Sequence, residues 1–198
     1  MQALSQRVRI AALALKTVGL VVGLLTGGSQ RILLQRRLRW PLVVIAAFVI
    51  RELEIRTPLG SAAWGPAIFA LSLAVLLAWS AWHHGRLPGI WLVVVGIGMN
   101  LVVVLCNGGR MPVAPAAAHL GPAQLREQGT FAEYALAGPD TRVGWLGDWI
   151  VLPPPIGALF PQAYSPGDMV SVAGFAVVLF LATRPDPRST RRRGITTR

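Results

Sequence analysis

The feature that most constrains this chain is the gathering of its apolar residues into blocks, with charged residues mostly at the block ends. Neither the period of two of a half-buried strand nor the 3.6 of a helix with one wet face runs through them. Such blocks suit a hydrocarbon slab. Inside it no water satisfies backbone amides, so a crossing segment must bond to itself as a helix of roughly 17–25 mostly apolar residues. With 54% hydrophobic and only 14% charged residues in a chain of 198, and a mean hydropathy of +0.55, a soluble globule is a poor description. The expected fold is all-α: an integral membrane bundle of about five transmembrane helices, with an irregular outer cap of about 58 residues.

The spans fall at about 10–27, 41–56, 64–82, 88–106 and 166–183, with an outer segment over 107–165 and a basic tail over 184–198. The first block carries Gly19, Gly23 and Gly27 at spacing four. They share one helix face, and missing side chains there let a second helix approach closely. A cleaved signal peptide with Arg7 and Arg9 as its basic end is the competing reading of this block. Trp64 and Trp82 mark both margins of the third span, where amphipathic rings prefer the interface. Asn100 is the strongly polar residue of the fourth span. Its amide needs a partner in hydrocarbon, and a neighbouring helix is the expected source. The last span opens on Ser165-Pro166-Gly167-Asp168, which reads as a hydroxyl N-cap, a proline at the first helical position and a carboxylate at the third.

Charge sets the expected orientation. The first and third connections and the tail hold eleven Lys and Arg in short segments, whereas the opposite face holds eight over far more residues. Cytoplasmic loops are enriched in both residue types, so the C-terminus is expected in the cytoplasm and the N-terminus outside a cell membrane. The net charge of +11 does not point to nucleic acid. Most basic residues flank apolar blocks, so anionic lipid headgroups at the Arg-rich cytoplasmic segments are the expected counter-charge. A protein partner or a second copy of the chain is the other class of partner compatible with a bundle. Cys106 is the single cysteine, which excludes an internal disulfide and a cysteine-built zinc site. The adjacent His83 and His84 have no third ligand nearby in sequence, so neither metal nor cofactor is expected.

Three phrases stand out in the outer segment: Asn107-Gly108-Gly109-Arg110-Met111-Pro112-Val113, then Leu146-Gly147-Asp148-Trp149, then the Ser165 to Asp168 start. Gly108 and Gly109 can take positive φ to end a helix, and Pro112 keeps Met111 extended. Short helices are expected over Ala123 to Gln128 and Phe131 to Leu136, and polyproline II over Pro153 to Pro155. Asn107, Arg110, Met111, Pro112, Asp148 and Asp168 are the candidate ligand or partner residues. For Asp168 capping competes with that role; for Asp148 the rival is an Asx turn or an ion pair with Arg110 or Arg142.

These phrases resemble an uncharacterised bacterial family of small multi-pass membrane proteins, a domain of unknown function. The family shows an Asn-Gly-x-Met-Pro-Val-like phrase after one span and a Gly-Asp phrase before the last. The resemblance runs from about Gly19 to Leu181 and implies a membrane protein with no assigned activity. The present phrase is one residue longer than the family's. Three functions compete: a non-catalytic bundle whose outer segment binds a partner, lipid or small ligand; an enzyme acting on a lipid or envelope precursor; and an oligomeric channel or transporter component. No HExxH, GxSxG or P-loop supports the second, and only Asn100 at mid-span supports the third.

Overall fold

A computed structural model describes residues 40–57 and 62–183. The block 10–27 with Gly19, Gly23 and Gly27, and the tail 184–198, lie outside the described residues. In chain order the first long helices are α1 (Pro41–Arg56), α2 (Gly65–Trp82) and α3 (Ile90–Cys106). Then come β1 (Met111–Val113), a 3-10 turn (Pro115–Leu120), α4 (Ala123–Gln128), β2 (Thr130–Phe131) and β3 (Tyr134–Leu136). A second 3-10 turn (Gly144–Leu146), β4 (Ile150–Val151), α5 (Ile156–Leu159) and β5 (Ala163–Tyr164) lead into the last long helix, α6 (Pro166–Ala182). We call residues 107–165 the cap. The long helices coincide with four apolar blocks. Among the described residues α2 alone is long and apolar enough to cross a membrane by length and composition, while α3 and α6 are apolar but shorter.

Helix starts follow local chemistry. Proline occupies one of the first two positions of α1, α2 and α6, where its missing amide would have had no intrahelical partner. At α6 the Ser165 hydroxyl accepts from the Asp168 amide at 2.9 Å, and the Asp168 carboxylate accepts from the Ser165 amide at 3.1 Å. Two orphan donors are thereby satisfied reciprocally.

The centre of the bundle is the antiparallel pair α3 and α6, with α2 against α3 and α1 against α2. Glycine sets how close the central pair lies. A Cβ on Gly174 would stand 2.6 Å from the Val93 amide nitrogen, and one on Gly167 would stand 2.6 Å from the Gly96 carbonyl oxygen. These are backbone atoms and cannot swing aside. The pair is also staggered. Ser165, the cap of α6, bonds to Asn100, six residues before the end of α3 at Cys106, so α6 starts about 9 Å short of that end. Phe69, Leu73, Ile90, Val93, Ile97, Val103 and Val104 form the main core, and Met111 and Leu146 of the cap join it.

The cap corrects the all-α expectation, because it is ordered and contains strands. β1 pairs with β3 in parallel, with Met111 opposite Tyr134 and Val113 opposite Leu136. β2 closes antiparallel on β3, and β4 pairs antiparallel with β5. Phe131 to Leu136 is therefore a hairpin rather than a helix. Ala132 takes a positive φ of 49° in its turn, and Thr130, Phe131 and Tyr134 are residue types that suit a pleated surface. Pro153 to Pro155 is not polyproline II either: the Pro154–Pro155 peptide is cis, and Pro155 is right-handed at φ −83° and ψ −12°. Val113, Ala117 and Leu125 give the cap a small core of its own, with Phe131 and Ala163 against it.

Candidate functional site

Two asparagines on α3 organise the polar chemistry. Asn100, buried within the bundle, donates from Nδ2 to Asp168 Oδ1 at 2.8 Å and accepts the Ser165 hydroxyl on Oδ1 at 2.8 Å. With the capping pair this makes a closed triad. Both Asp168 oxygens accept, Ser165 both donates and accepts, and the Asn100 amide uses each end once. Hydrogen bonds to an ionised group contribute about 1.5–3 kcal/mol each, so the triad locks α6 to α3. Gly167 is part of the lock, since a Cβ there would collide with the Asn100 side chain.

Asn107, the C-cap of α3, ties the helix to the cap. Its Nδ2 donates to the Val103 carbonyl at 2.7 Å and to the Arg142 carbonyl at 2.8 Å, while Oδ1 accepts the Arg142 amide at 2.9 Å. Gly109, at φ 85°, turns the chain, and its amide returns to the Val104 carbonyl at 2.9 Å. A Cβ on Gly109 would lie 2.7 Å from the Pro66 carbonyl oxygen, which brings this turn against the start of α2. The Arg110 amide follows, donating to the Asn107 carbonyl at 3.3 Å.

Beyond that turn β1 is bonded along both edges. The Met111 amide donates to the Glu133 carbonyl at 2.7 Å, and the Ala137 amide donates to the Val113 carbonyl at 2.8 Å. On the other edge the Asp148 amide donates to the Pro112 carbonyl at 2.8 Å, and the Ala114 amide donates to the Asp148 carbonyl at 2.9 Å. Pro112 therefore serves as an acceptor in a strand where its lack of an amide costs nothing. Gly147 is required beside it, because a Cβ would collide with the Pro112 carbonyl.

The candidate residues thus fall into separate groups. Asn107, Arg110 and Arg142 share the end of α3; Asp168 belongs to the Asn100 triad; Met111, Pro112 and Asp148 are buried in the cap. His119 is exposed on the first 3-10 turn, with Nδ1 2.8 Å from the Ala116 carbonyl. Sequence reasoning missed Ser165 as a partner of Asn100, the buried Glu133, and the contact glycines Gly96, Gly167 and Gly174. It weighed His83 only as a metal ligand and missed its burial at 1% exposed. That ring lies 4.1 Å from the Trp79 ring, with Nδ1 2.8 Å from the Trp79 carbonyl. The Gly-Asp pair after Ser165 carried a local signal, and His83 meets Trp79 one helical turn away. The Asn100–Ser165 bond and the glycine contacts depend on pairings far apart in sequence.

Tyr164 leads into the triad. Burial raises its phenol above the ordinary 10.0, the Asp168 carboxylate adds to the rise, and a hydrogen bond with Gln162 opposes it. Among the described residues no group of three or more His, Cys, Asp or Glu is placed to hold a metal ion.

Comparison with curated proteins and with solved structures gives no match. A family model does match, over residues 35–180, a stretch that takes in α1, α2, α3, the whole cap and α6 up to Phe180. On that match the chain belongs to a family of unknown function, DUF5317.

Proposed function

We propose that this chain is a multi-pass membrane protein, crossing the bilayer about five times, whose cap lies on the outer face and acts as a non-catalytic binding element. The observation that carries the reading is an inverted distribution of polarity in α2 and α3. Ser72, Ser80 and Asn100 are buried, whereas Leu71, Val75, Trp82, Trp91, Val95, Val102 and Leu105 are exposed. Water rewards the reverse arrangement; lipid tails reward this one. Trp64, Trp82 and Trp91, all exposed, sit at helix ends where indole rings favour the headgroup region.

The same geometry favours binding over catalysis. Asp168 has both carboxylate oxygens committed to Asn100 and to the Ser165 amide, and Met111, Pro112 and Asp148 are built into the cap interior. Asn100 is spent on α6 of its own chain, which argues against a ring of Asn100 residues lining an oligomeric pore. What remains for a partner is the rim of the cap around Asn107, Arg110 and Arg142.

Two measurements test the reading. Alkaline carbonate washing of membranes should leave the chain in the pellet; release into the supernatant overturns membrane insertion. In a Cys106→Ser background, the exposed Asp140 replaced as Asp140→Cys should react with an impermeant maleimide on intact cells. Reaction only after lysis overturns the outward placement of the cap.

A further inference from the structure

Two arginines, Arg110 and Arg142, are tied through their backbones to Asn107 at the end of α3. Arg110 is half-buried, and its Nε is fully buried and donates to no acceptor among the described residues. A buried guanidinium donor left without an acceptor is costly and calls for a water or an ion at that spot. Arg142 is exposed and belongs to the same place, because its backbone amide and carbonyl are both clamped by Asn107, whose own carbonyl receives the Arg110 amide. A third contribution comes from α2. Its start touches the turn at Gly109, and that start has no side-chain cap and no acidic residue in its first turn. Its first amides are bonded to the Ala62 and Trp64 carbonyls, so α2 offers an anion no free N–H there and contributes only the positive end of its dipole.

Arg126 supplies the contrast. It lies in the same cap, but its guanidinium donates to the Ala118 and His119 carbonyls, each at 3.3 Å. That arginine is occupied with the fold, whereas Arg110 Nε donates to no acceptor among the described residues.

We propose that the Asn107 turn carries an anion site for a phosphate group, with Arg110 as the inner donor, Arg142 as the outer donor and the start of α2 behind them. Planar guanidinium forks match phosphate oxygens. The exposed Trp64 at the start of α2 places the site at the depth of lipid headgroups. This last point rests on the membrane reading above, whereas the anion site itself does not. The phosphate has two sources, a lipid headgroup and a free anion.

The test uses the full chain in mild detergent, titrated with short-chain phosphatidylglycerol and, separately, with inorganic phosphate. Arg110→Gln is expected to weaken binding about tenfold, the loss of one charge-assisted hydrogen bond, and Arg142→Gln about threefold, as suits a more exposed donor. Arg110→Lys should restore part of the loss, and Arg126→Gln should bind as the wild type does. Preference for the lipid identifies a headgroup site, and equal binding of inorganic phosphate identifies a free-anion site; both support the proposal. Wild-type binding by both Arg110→Gln and Arg142→Gln, or an equal loss in Arg126→Gln, overturns it. Should Arg110→Gln fail to fold, Arg142→Gln decides, because it removes an exposed side chain and keeps the backbone bonds to Asn107. Carbonate release with the titration differences intact would sink the membrane reading and leave the anion site standing. Membrane retention without those differences would do the opposite.

Discussion

Asn100 and Asn107 stand seven residues apart on one helix, yet they do different work. Asn100 meets side chains, a carboxylate and a hydroxyl on α6, inside the bundle. Asn107 meets backbone, two carbonyls and an amide, at the edge of the cap. A side-chain partner depends on what residue is there; a backbone partner depends only on where the chain runs. The first joint therefore fixes which helices pair, and the second fixes the path of a loop. Their depths also differ, so breaking the first leaves buried polar groups unsatisfied, whereas breaking the second lets water in.

Several substitutions would break or sharpen this contrast, the most damaging first. Gly167→Val should destabilise the chain by about 4 kcal/mol, since the new side chain meets the Gly96 carbonyl and displaces Asn100; thermal unfolding in detergent measures it, and a near wild-type Tm would refute the close approach. Asn100→Leu should cost about 3 kcal/mol by leaving Asp168 Oδ1 and the Ser165 hydroxyl without their partner. Asn107→Ala should cost about 2 kcal/mol and, more tellingly, expose the Arg142 bond to trypsin while the helices stay protected. The double variant Asn100→Leu with Asn107→Ala should be additive within about 0.5 kcal/mol; strong coupling would mean that the two joints are one unit.

The smallest effect is alkaline. In a Tyr134→Phe variant Tyr164 is the remaining tyrosine, and its tyrosinate absorbance should appear above pH 10.0, because burial and the Asp168 charge favour the neutral phenol. The unfolded chain ionises first, so this contribution to stability is complete below pH 10.0 and is lost as pH rises toward the folded value. Titration at or below pH 10.0 would show that Tyr164 is not held in the folded cap.

What the sequence made legible was local. Apolar blocks marked the long helices, and Ser165 with Asp168 announced the α6 cap, because capping needs only residues three apart. The cap's strands were hidden for the opposite reason. They are two or three residues long, too short for alternation to register, and Met111–Val113 finds its edges in Tyr134–Leu136 and Asp148, remote in sequence. Among the glycines, spacing drew the eye to Gly19, Gly23 and Gly27, which lie outside the described residues. Gly96, Gly167 and Gly174 form the contact between α3 and α6, but they are split between two helices, and the two on α6 lie seven residues apart with no glycine between them at spacing four. Asn100 announced its need for a partner without naming Asp168.

The stagger between α3 and α6 bears on the surrounding solvent as much as on the protein. A bilayer meeting α3 would find 17 helical residues of which only the buried Asn100 is strongly polar, whereas on the α6 side the helix begins about 9 Å lower, and the turn at Gly144–Leu146 contacts both helices. Lipids on the two flanks would need different effective lengths. Thinner membranes, or shorter acyl chains recruited to one flank, relieve that mismatch, so on the membrane reading proposed above the notch would make the protein sensitive to bilayer thickness.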